Sequence, residues 1–238
     1  MNILFTGSSR LLQDWLEVCK DHTCIVYGKG LKKKLPEAVT KIHALDEAPE
    51  LDLIIDLHVR DSRKWRLILD DILAEIGPGT PMLCNTIAVT ATEIGSRTGQ
   101  PERIIGIAAL PSLVSSDVIE ISYPHKALRL HEEVLQEFFT SIGKRHIVVR
   151  DEIGMISPRI LAVMINEAML ILQQDMAAED DIEAAMAVAL GSEGPIAWGR
   201  KLGWTNVYNL LFAMYDELGG ERYRPASLLK KMAMVEEG

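Results

Sequence analysis

The sequence predicts an α/β domain with a mostly parallel sheet over residues 1–150, followed by an all-α domain over residues 151–238. In the first part, short apolar runs of strand length alternate with segments of helical periodicity. After Val149 the strand-like runs stop and only helical patterns follow. Alternation of this kind is typical of parallel strands joined by right-handed helical crossovers, with helices on both faces of the sheet.

The first domain opens with a strand over residues 2–6, which Gly7 ends, and a helix in which apolar residues recur at helical spacing over residues 11–19. A second strand covers residues 24–27. The later predicted elements are strands over 51–57, 81–84, 103–109, 118–121 and 146–149, and helices over 65–76, 90–98 and 128–142.

The second domain is organised around one long apolar segment, residues 156–172. Arg159, Asn166 and Gln173 recur every seven positions and form a single polar stripe on an otherwise apolar helix. Such a helix is expected to be buried against other helices or a second subunit, and its polar groups argue against a membrane span. A second helix is predicted over residues 178–190, because acidic residues open it and Gly191 follows it.

Composition limits the functional classes. The chain has 238 residues, 48% of them hydrophobic and 25% charged, as expected for a soluble globular protein. A net charge of -9 argues against nucleic acid or an anionic membrane as the main partner. The N-terminus shows no secretory signal, so we expect a cytoplasmic protein. Three cysteines without metal-type spacing predict reduced core thiols and no metal site.

The landmarks of the second domain follow the order "DxxG…R…NEA…EDxxxAM…GP…LG…RYxPxxLL". This order resembles the C-terminal domain of the 3-hydroxyacyl-CoA dehydrogenase family, which includes bacterial 3-hydroxybutyryl-CoA dehydrogenases. The resemblance covers nearly all of residues 151–232. It implies a Rossmann-like first domain that binds NAD, and a homodimer formed through the helical domain.

The expected cofactor loop is degenerate. A dinucleotide site of this class uses GxGxxG after the first strand, because glycines permit the tight turn and the close approach of the diphosphate. Here Gly7 keeps the first position, Ser9 takes the second and Leu12 the third. Ser9 adds a Cβ where phosphate would approach, and Leu12 forces the helix and strand apart or into another packing. The loop is therefore either a degenerate dinucleotide turn or a turn that binds nothing.

The acid expected after the second strand, which would hold the adenosine ribose, is also absent, because Gly28 and Lys29 follow Tyr27. Lys29 or Arg10 could meet a phosphate, which would indicate NADP or coenzyme A rather than NAD; the alternative is a solvated loop. We therefore predict poor NAD binding. The candidate cofactor contacts are Gly7, Ser9, Arg10 and Lys29.

Residues 84–94 resemble the family's "SNTSSLSITEI" region and residues 103–106 its "RVIG". In the family, "HFFNP" follows, and its histidine exchanges a proton with the substrate 3-hydroxyl. That position falls on Ala108, which carries no titratable group. The resemblance matches the family's orienting glutamate to Glu120 and includes Asn85 as a catalytic candidate. The family's substrate-binding asparagine falls on Pro158.

Two candidate residues have alternative interpretations. Glu120 is a relic of the family site, a buried carboxylate with a new partner, or a surface acid. His58 follows the strand over residues 51–57, where open α/β sheets bind ligands, and is either a replacement base or a structural histidine.

The sequence predicts an inactive or divergent relative of the family that binds acyl-CoA or a nucleotide. One alternative is an active NAD(P)-dependent oxidoreductase that oxidises a 3-hydroxyacyl-CoA or a related hydroxy acid with different residues. Another is a non-catalytic dimer with a structural or partner-binding role.

Overall fold

The computed structural model describes residues 1–7, 9–28, 35–59 and 62–237, without the side chains of residues 9, 10 and 237. The chain forms two compact units. The first comprises Met1–Ala109 and Leu113–Glu152, and the second comprises Leu110–Ser112 and Ile153–Gly238.

The described part of the first unit contains eight strands and four helices. They are β1 (Asn2–Gly7), α1 (Ser9–Val18), β2 (Thr23–Tyr27), β3 (Thr40–Ile42), β4 (Leu53–Leu57), α2 (Arg63–Glu75), β5 (Met82–Asn85), α3 (Ala91–Thr98), β6 (Ile104–Ile107), β7 (Val118–Ser122), α4 (Glu132–Ser141) and β8 (Arg145–Val148). Sequence periodicity missed β3, which is only three residues long and contains two polar residues. The helix predicted over residues 128–142 begins only at Glu132.

The strands form one sheet in the order β3-β2-β1-β4-β5-β6-β7-β8. The first six of these are parallel, whereas β7 is antiparallel to β6 and β8 is parallel to β7. This confirms the predicted mostly parallel sheet. From β1 the next strands, β2 and β3, are added on one side, whereas β4 and the strands after it are added on the other side. The switch in strand order therefore lies between β1 and β4. Open α/β sheets bind ligands in the crevice beyond the carboxyl ends of strands at such a point.

Apolar side chains alternate between the two faces of the sheet and form two cores. Phe5 packs with Trp15 and Phe138 on one face. Leu4 packs with residues of α2 on the other face. Leu12, at the third glycine position of the cofactor motif, is only 2% exposed and belongs to the first core. The expected crowding is therefore accommodated by burying this side chain in the core.

Asp151 ties the end of the first unit to α3. Its Oδ1 accepts hydrogen bonds from the Ala91 amide (2.9 Å) and the Ser122 hydroxyl (2.9 Å). Its Oδ2 accepts from the amide (2.7 Å) and the hydroxyl (2.6 Å) of Thr92. The carboxylate thus satisfies amides at the N-terminus of α3, where a negative charge is favourable.

The second unit is helical. Its described helices are α5 (Ser157–Gln173), α6 (Glu179–Leu190), α7 (Pro195–Leu202), α8 (Trp204–Leu218) and α9 (Ser227–Glu237). The apolar segment predicted from the sequence forms α5. Gly191 follows α6 in the left-handed conformation, as expected for a helix that ends in glycine.

The polar stripe of α5 anchors the segment before and at the start of α9. Asn166 is buried; its Nδ2 donates to the Arg224 carbonyl (2.9 Å), and its Oδ1 accepts from the Ala226 amide (2.8 Å). Gln173 Oε1 accepts from the Leu228 amide at 2.9 Å. The two Asn166 bonds explain why a polar residue interrupts the buried face of this helix, since buried backbone groups need partners.

The three cysteines lie in the core, as predicted from the sequence. Cys19, Cys24 and Cys84 are free and buried, and burial raises the pKa of Cys24 to about 11. Within the described ranges, no group of three or more His, Cys, Asp or Glu residues is placed to hold a metal ion. No helix in that part of the chain has the length and apolar character needed to cross a bilayer.

Arg103 is a buried cation that caps the C-terminal end of α2. Its guanidinium donates to the carbonyls of Leu73 (3.4 Å), Ile76 (3.2 Å) and Thr80 (3.0 Å). It also donates to Gln100 Oε1 at 2.7 Å. The side chain therefore satisfies carbonyls left open where the helix ends.

We expect Arg103→Met to lower the free energy of unfolding by about 1–3 kcal/mol, because the substitution leaves buried carbonyls without a donor. Urea denaturation measures the change. The control is Arg63→Met, which removes an exposed arginine from the first turn of the same helix. Equal stability of the two variants would show that the Arg103 bonds contribute little.

Candidate functional site

The crevice between β1 and β4 is shaped by Gly7. This residue pairs with Leu57 and has a φ of +113°. A Cβ at Gly7 would lie 2.6 Å from both the His58 amide nitrogen and the Leu57 carbonyl carbon. Only glycine fits this close approach. Helix α1 begins two residues later, so its N-terminus opens at the carboxyl end of β1, as in helices that bind phosphate.

His58 follows β4 beside this turn, and Asp56 holds its ring. His58 Nδ1 lies 2.5 Å from Asp56 Oδ1, and Trp65 Nε1 donates to Asp56 Oδ2 at 2.7 Å. The Asp56 side chain is 1% exposed and that of His58 is 23% exposed. Both oxygens of the buried carboxylate are thus partnered, and the ring of His58 is fixed in orientation.

Asp56 and Trp65 were not among the residues predicted from the sequence. The available signal was an aspartate within an otherwise apolar strand, because a buried carboxylate requires partners. Its partner Trp65 lies on α2, and periodicity alone does not indicate that a tryptophan ring nitrogen turns toward the sheet.

A second group of polar side chains lies at the carboxyl end of β5. Asn85 Oδ1 accepts a hydrogen bond from the Ala109 amide at 3.2 Å. Asn85 Nδ2 and Thr86 Oγ1 are buried, and neither has a hydrogen-bond partner among the described residues. Gly106 lies against Thr86, and a Cβ there would come within 2.5 Å of the Thr86 hydroxyl. The two unpartnered groups could bind a polar atom of a ligand.

Ala108 and Glu120 are adjacent, as the resemblance implies for the residues they match. The Ala108 amide donates to the Glu120 carbonyl oxygen at 3.1 Å. Glu120 is 6% exposed, which excludes the surface-acid interpretation. The structure therefore groups Asn85, Ala108 and Glu120 at neighbouring strand ends, but the methyl group of Ala108 can neither donate nor accept a proton.

His58 is not placed to replace a base at residue 108. β5 lies between β4, which precedes His58, and β6, which precedes Ala108. Two strand spacings amount to about 10 Å. His58 and Gly7 therefore belong to the β1/β4 crevice, whereas Asn85, Ala108 and Glu120 belong to the β5/β6 end of the same edge.

Three of the four predicted cofactor contacts cannot be placed, because they lie wholly or partly outside the described residues. This applies to Lys29 and to the side chains of Ser9 and Arg10. In the helical unit, Pro158 is buried in the first turn of α5. The position that matches the family's substrate-binding asparagine thus offers no side-chain hydrogen bond.

Comparison with known proteins identifies the relatives of the chain. Residues 154–237 match the family model of the 3-hydroxyacyl-CoA dehydrogenase C-terminal domain. The chain is 34% identical over 158 residues to 3-hydroxyadipyl-CoA dehydrogenase of Escherichia coli, covering 66% of this chain and 32% of that protein. It is 26% identical to 3-hydroxybutyryl-CoA dehydrogenase of Clostridioides difficile, covering 90% of this chain and 77% of that protein. Residues 154–237 thus belong to the 3-hydroxyacyl-CoA dehydrogenase family, and the family predicted from the sequence is supported.

Solved structures with the same fold cover nearly all of the chain. Mycobacterium tuberculosis FadB2 superposes with a TM-score of 0.85 at 18% identity, covering 98% of this chain and 93% of that one. (S)-3-hydroxybutyryl-CoA dehydrogenase PaaH1 of Ralstonia eutropha superposes with a TM-score of 0.79 at 19% identity, again covering 98% of this chain and 93% of that one. The fold class predicted from the sequence is thereby confirmed. The chain spans about a third of the length of the E. coli relative.

Proposed function

We propose that this chain is a divergent member of the 3-hydroxyacyl-CoA dehydrogenase family that binds NAD(H) weakly and does not oxidise 3-hydroxyacyl-CoA by the family's proton transfer. The observation that carries the proposal is Ala108 beside the buried Glu120. In the family, as the resemblance implies, the glutamate orients a histidine at this position. Here the orienting partner is retained and the proton-transfer group is absent.

Dinucleotide binding is supported by the described part of the crevice. Gly7 lets β1 pass close to the backbone of Leu57 and His58, and the N-terminus of α1 opens at the carboxyl end of β1, which favours a diphosphate. The acid that would hold the adenosine ribose is missing after Tyr27. The residues present therefore fit the diphosphate and not the ribose contact, and we expect an affinity for NAD weaker than low micromolar. When bound, NAD would supply the hydride acceptor.

Steady-state oxidation of 3-hydroxybutyryl-CoA tests the proposal. Loss of a positioned general base typically costs about 10²–10⁴-fold in rate. We expect kcat/KM to fall below that of the C. difficile relative, measured alongside, by at least this factor. Ala108→His should raise the rate, although Pro158 and the degenerate loop limit the gain.

The control is Ala108→Leu, which adds bulk at the same position without a titratable nitrogen and should not raise the rate. Turnover by the unmodified chain that equals that of the relative would refute the proposal. It would favour the alternative of an active oxidoreductase that uses other residues.

We further propose that the chain forms a homodimer through α5 and α6. Helix α6 is rich in apolar residues, yet Ile182 is its one buried residue, and Val188 is 87% exposed. Between α5 and α6 lies a groove of about 650 Å³. Its apolar lining includes Ile160, Val163, Met164, Ile171, Ile182 and Met186. An exposed apolar surface of this kind is typical of a protein interface.

Charges on α5 favour a second copy as the occupant of the groove. Arg159 and Glu167 both line it and lie four residues to either side of Val163. A two-fold axis beside Val163 would run α5 antiparallel to its copy and place Arg159 opposite Glu167 of the partner subunit. The same pair would then form twice, as a two-fold interface requires.

Light scattering measures the mass in solution. We expect the unmodified chain to have twice the mass of one 26.5 kDa chain, and Ile160→Lys to shift it toward a monomer. Met234→Lys is the matched control, because Met234 and Ile160 are both 62% exposed and Met234 lies outside the groove. A monomeric unmodified chain would exclude this assembly.

A further inference from the structure

The pair of Asp56 and His58 is an arrangement that packing alone does not require. Removing a carboxylate from water is costly unless its oxygens are hydrogen-bonded. Asp56, 1% exposed, meets this requirement with His58 Nδ1 on one oxygen and Trp65 Nε1 on the other. An apolar residue at this position of β4 would avoid the cost, as Ile54 does on the same face.

The pairing with Asp56 engages one of the two nitrogens of the imidazole. His58 Nδ1 faces Asp56, and no described residue supplies a hydrogen-bond partner for Nε2. The side chain keeps 23% of its surface exposed. A carboxylate that fixes one nitrogen sets the ring orientation, so that the second nitrogen can meet a ligand in a defined direction.

His58 lies beside Gly7, at the point where β1 ends and α1 begins two residues later. The His58 amide nitrogen would lie 2.6 Å from a Cβ at Gly7, and α1 starts at Ser9. A diphosphate at the N-terminus of α1 would therefore lie beside His58. We infer that His58 Nε2 hydrogen-bonds an oxygen of the ribose 5′-diphosphate unit of a dinucleotide in the β1/β4 crevice. The inference rests on the proposed function and names His58 as a binding residue of that site.

Two substitutions of His58 distinguish a contact with the ligand from a structural role through Asp56. In His58→Asn the amide nitrogen takes the place of Nδ1, so the bond to Asp56 is kept and the Nε2 atom is removed. In His58→Gln the amide nitrogen lies nearer the place of Nε2 and the bond to Asp56 is lost. A ligand-contact role predicts that the asparagine variant melts as the unmodified protein does but binds the dinucleotide less tightly.

The experiment is a fluorescence titration of NADH, with ADP-ribose as a competitor that lacks the nicotinamide ring. We expect His58→Asn to weaken both ligands about tenfold, the value of one net hydrogen bond. His58→Gln should recover part of the affinity. His125→Ala, which removes an exposed histidine from the loop after β7, is the control and should bind as the unmodified protein does.

The outcomes separate the inference from the proposed function. If the unmodified chain binds NADH and His58→Asn binds it equally well, the inference is wrong and nucleotide binding stands. If the unmodified chain binds neither NADH nor ADP-ribose at millimolar concentration, both fail. A His58→Gln variant that loses both binding and thermal stability, while His58→Asn loses neither, would assign His58 a structural role through Asp56 and overturn the inference.

Discussion

The close approach of β1 and β4 at Gly7 is the constraint on which the site depends. The two strands are parallel neighbours, and Gly7 lies so close to the backbone of Leu57 and His58 that there is no room for a Cβ. This contact directs the N-terminus of α1 to the carboxyl edge of the sheet and sets His58 beside it. The need for glycine is thus structural, and it persists whether or not a cofactor is bound.

The residues at the β1/β4 end and at the β5/β6 end of the carboxyl edge of the sheet therefore differ in what they indicate about function. Gly7 is required by packing, so its retention alone says little about ligand binding. Ala108 meets no such requirement, and its methyl group can neither donate nor accept a proton. The Asp56 and His58 pair is informative in the opposite sense, because a buried carboxylate is costly and is offset here by two hydrogen bonds. The chain thus combines an alanine without a titratable group at the end of β6 with a hydrogen-bonded carboxylate and imidazole at the end of β4.

Much of the fold could be predicted from the sequence because alternating apolar runs are a local signal. The reversed direction of β7 was not readable, since strand pairing depends on contacts distant in the chain. Asn85 and Glu120 were found through motif resemblance, and the structure brings them together around Ala108 and Ala109. The partnership of Asp56 with Trp65 was missed, because a side-chain bond between a strand and the following helix depends on tertiary packing rather than on spacing.

The most direct test of the account is a single-turnover experiment. The protein is mixed in stoichiometric amount with NADH and acetoacetyl-CoA, at a concentration above the dissociation constant of NADH, while nucleotide fluorescence reports binding and near-ultraviolet absorbance reports hydride transfer. The account predicts a fluorescence change that shows bound NADH, together with an absorbance that decays no faster than in buffer. Rapid consumption of one equivalent of NADH would contradict it, because proton transfer would then proceed without a titratable group at residue 108.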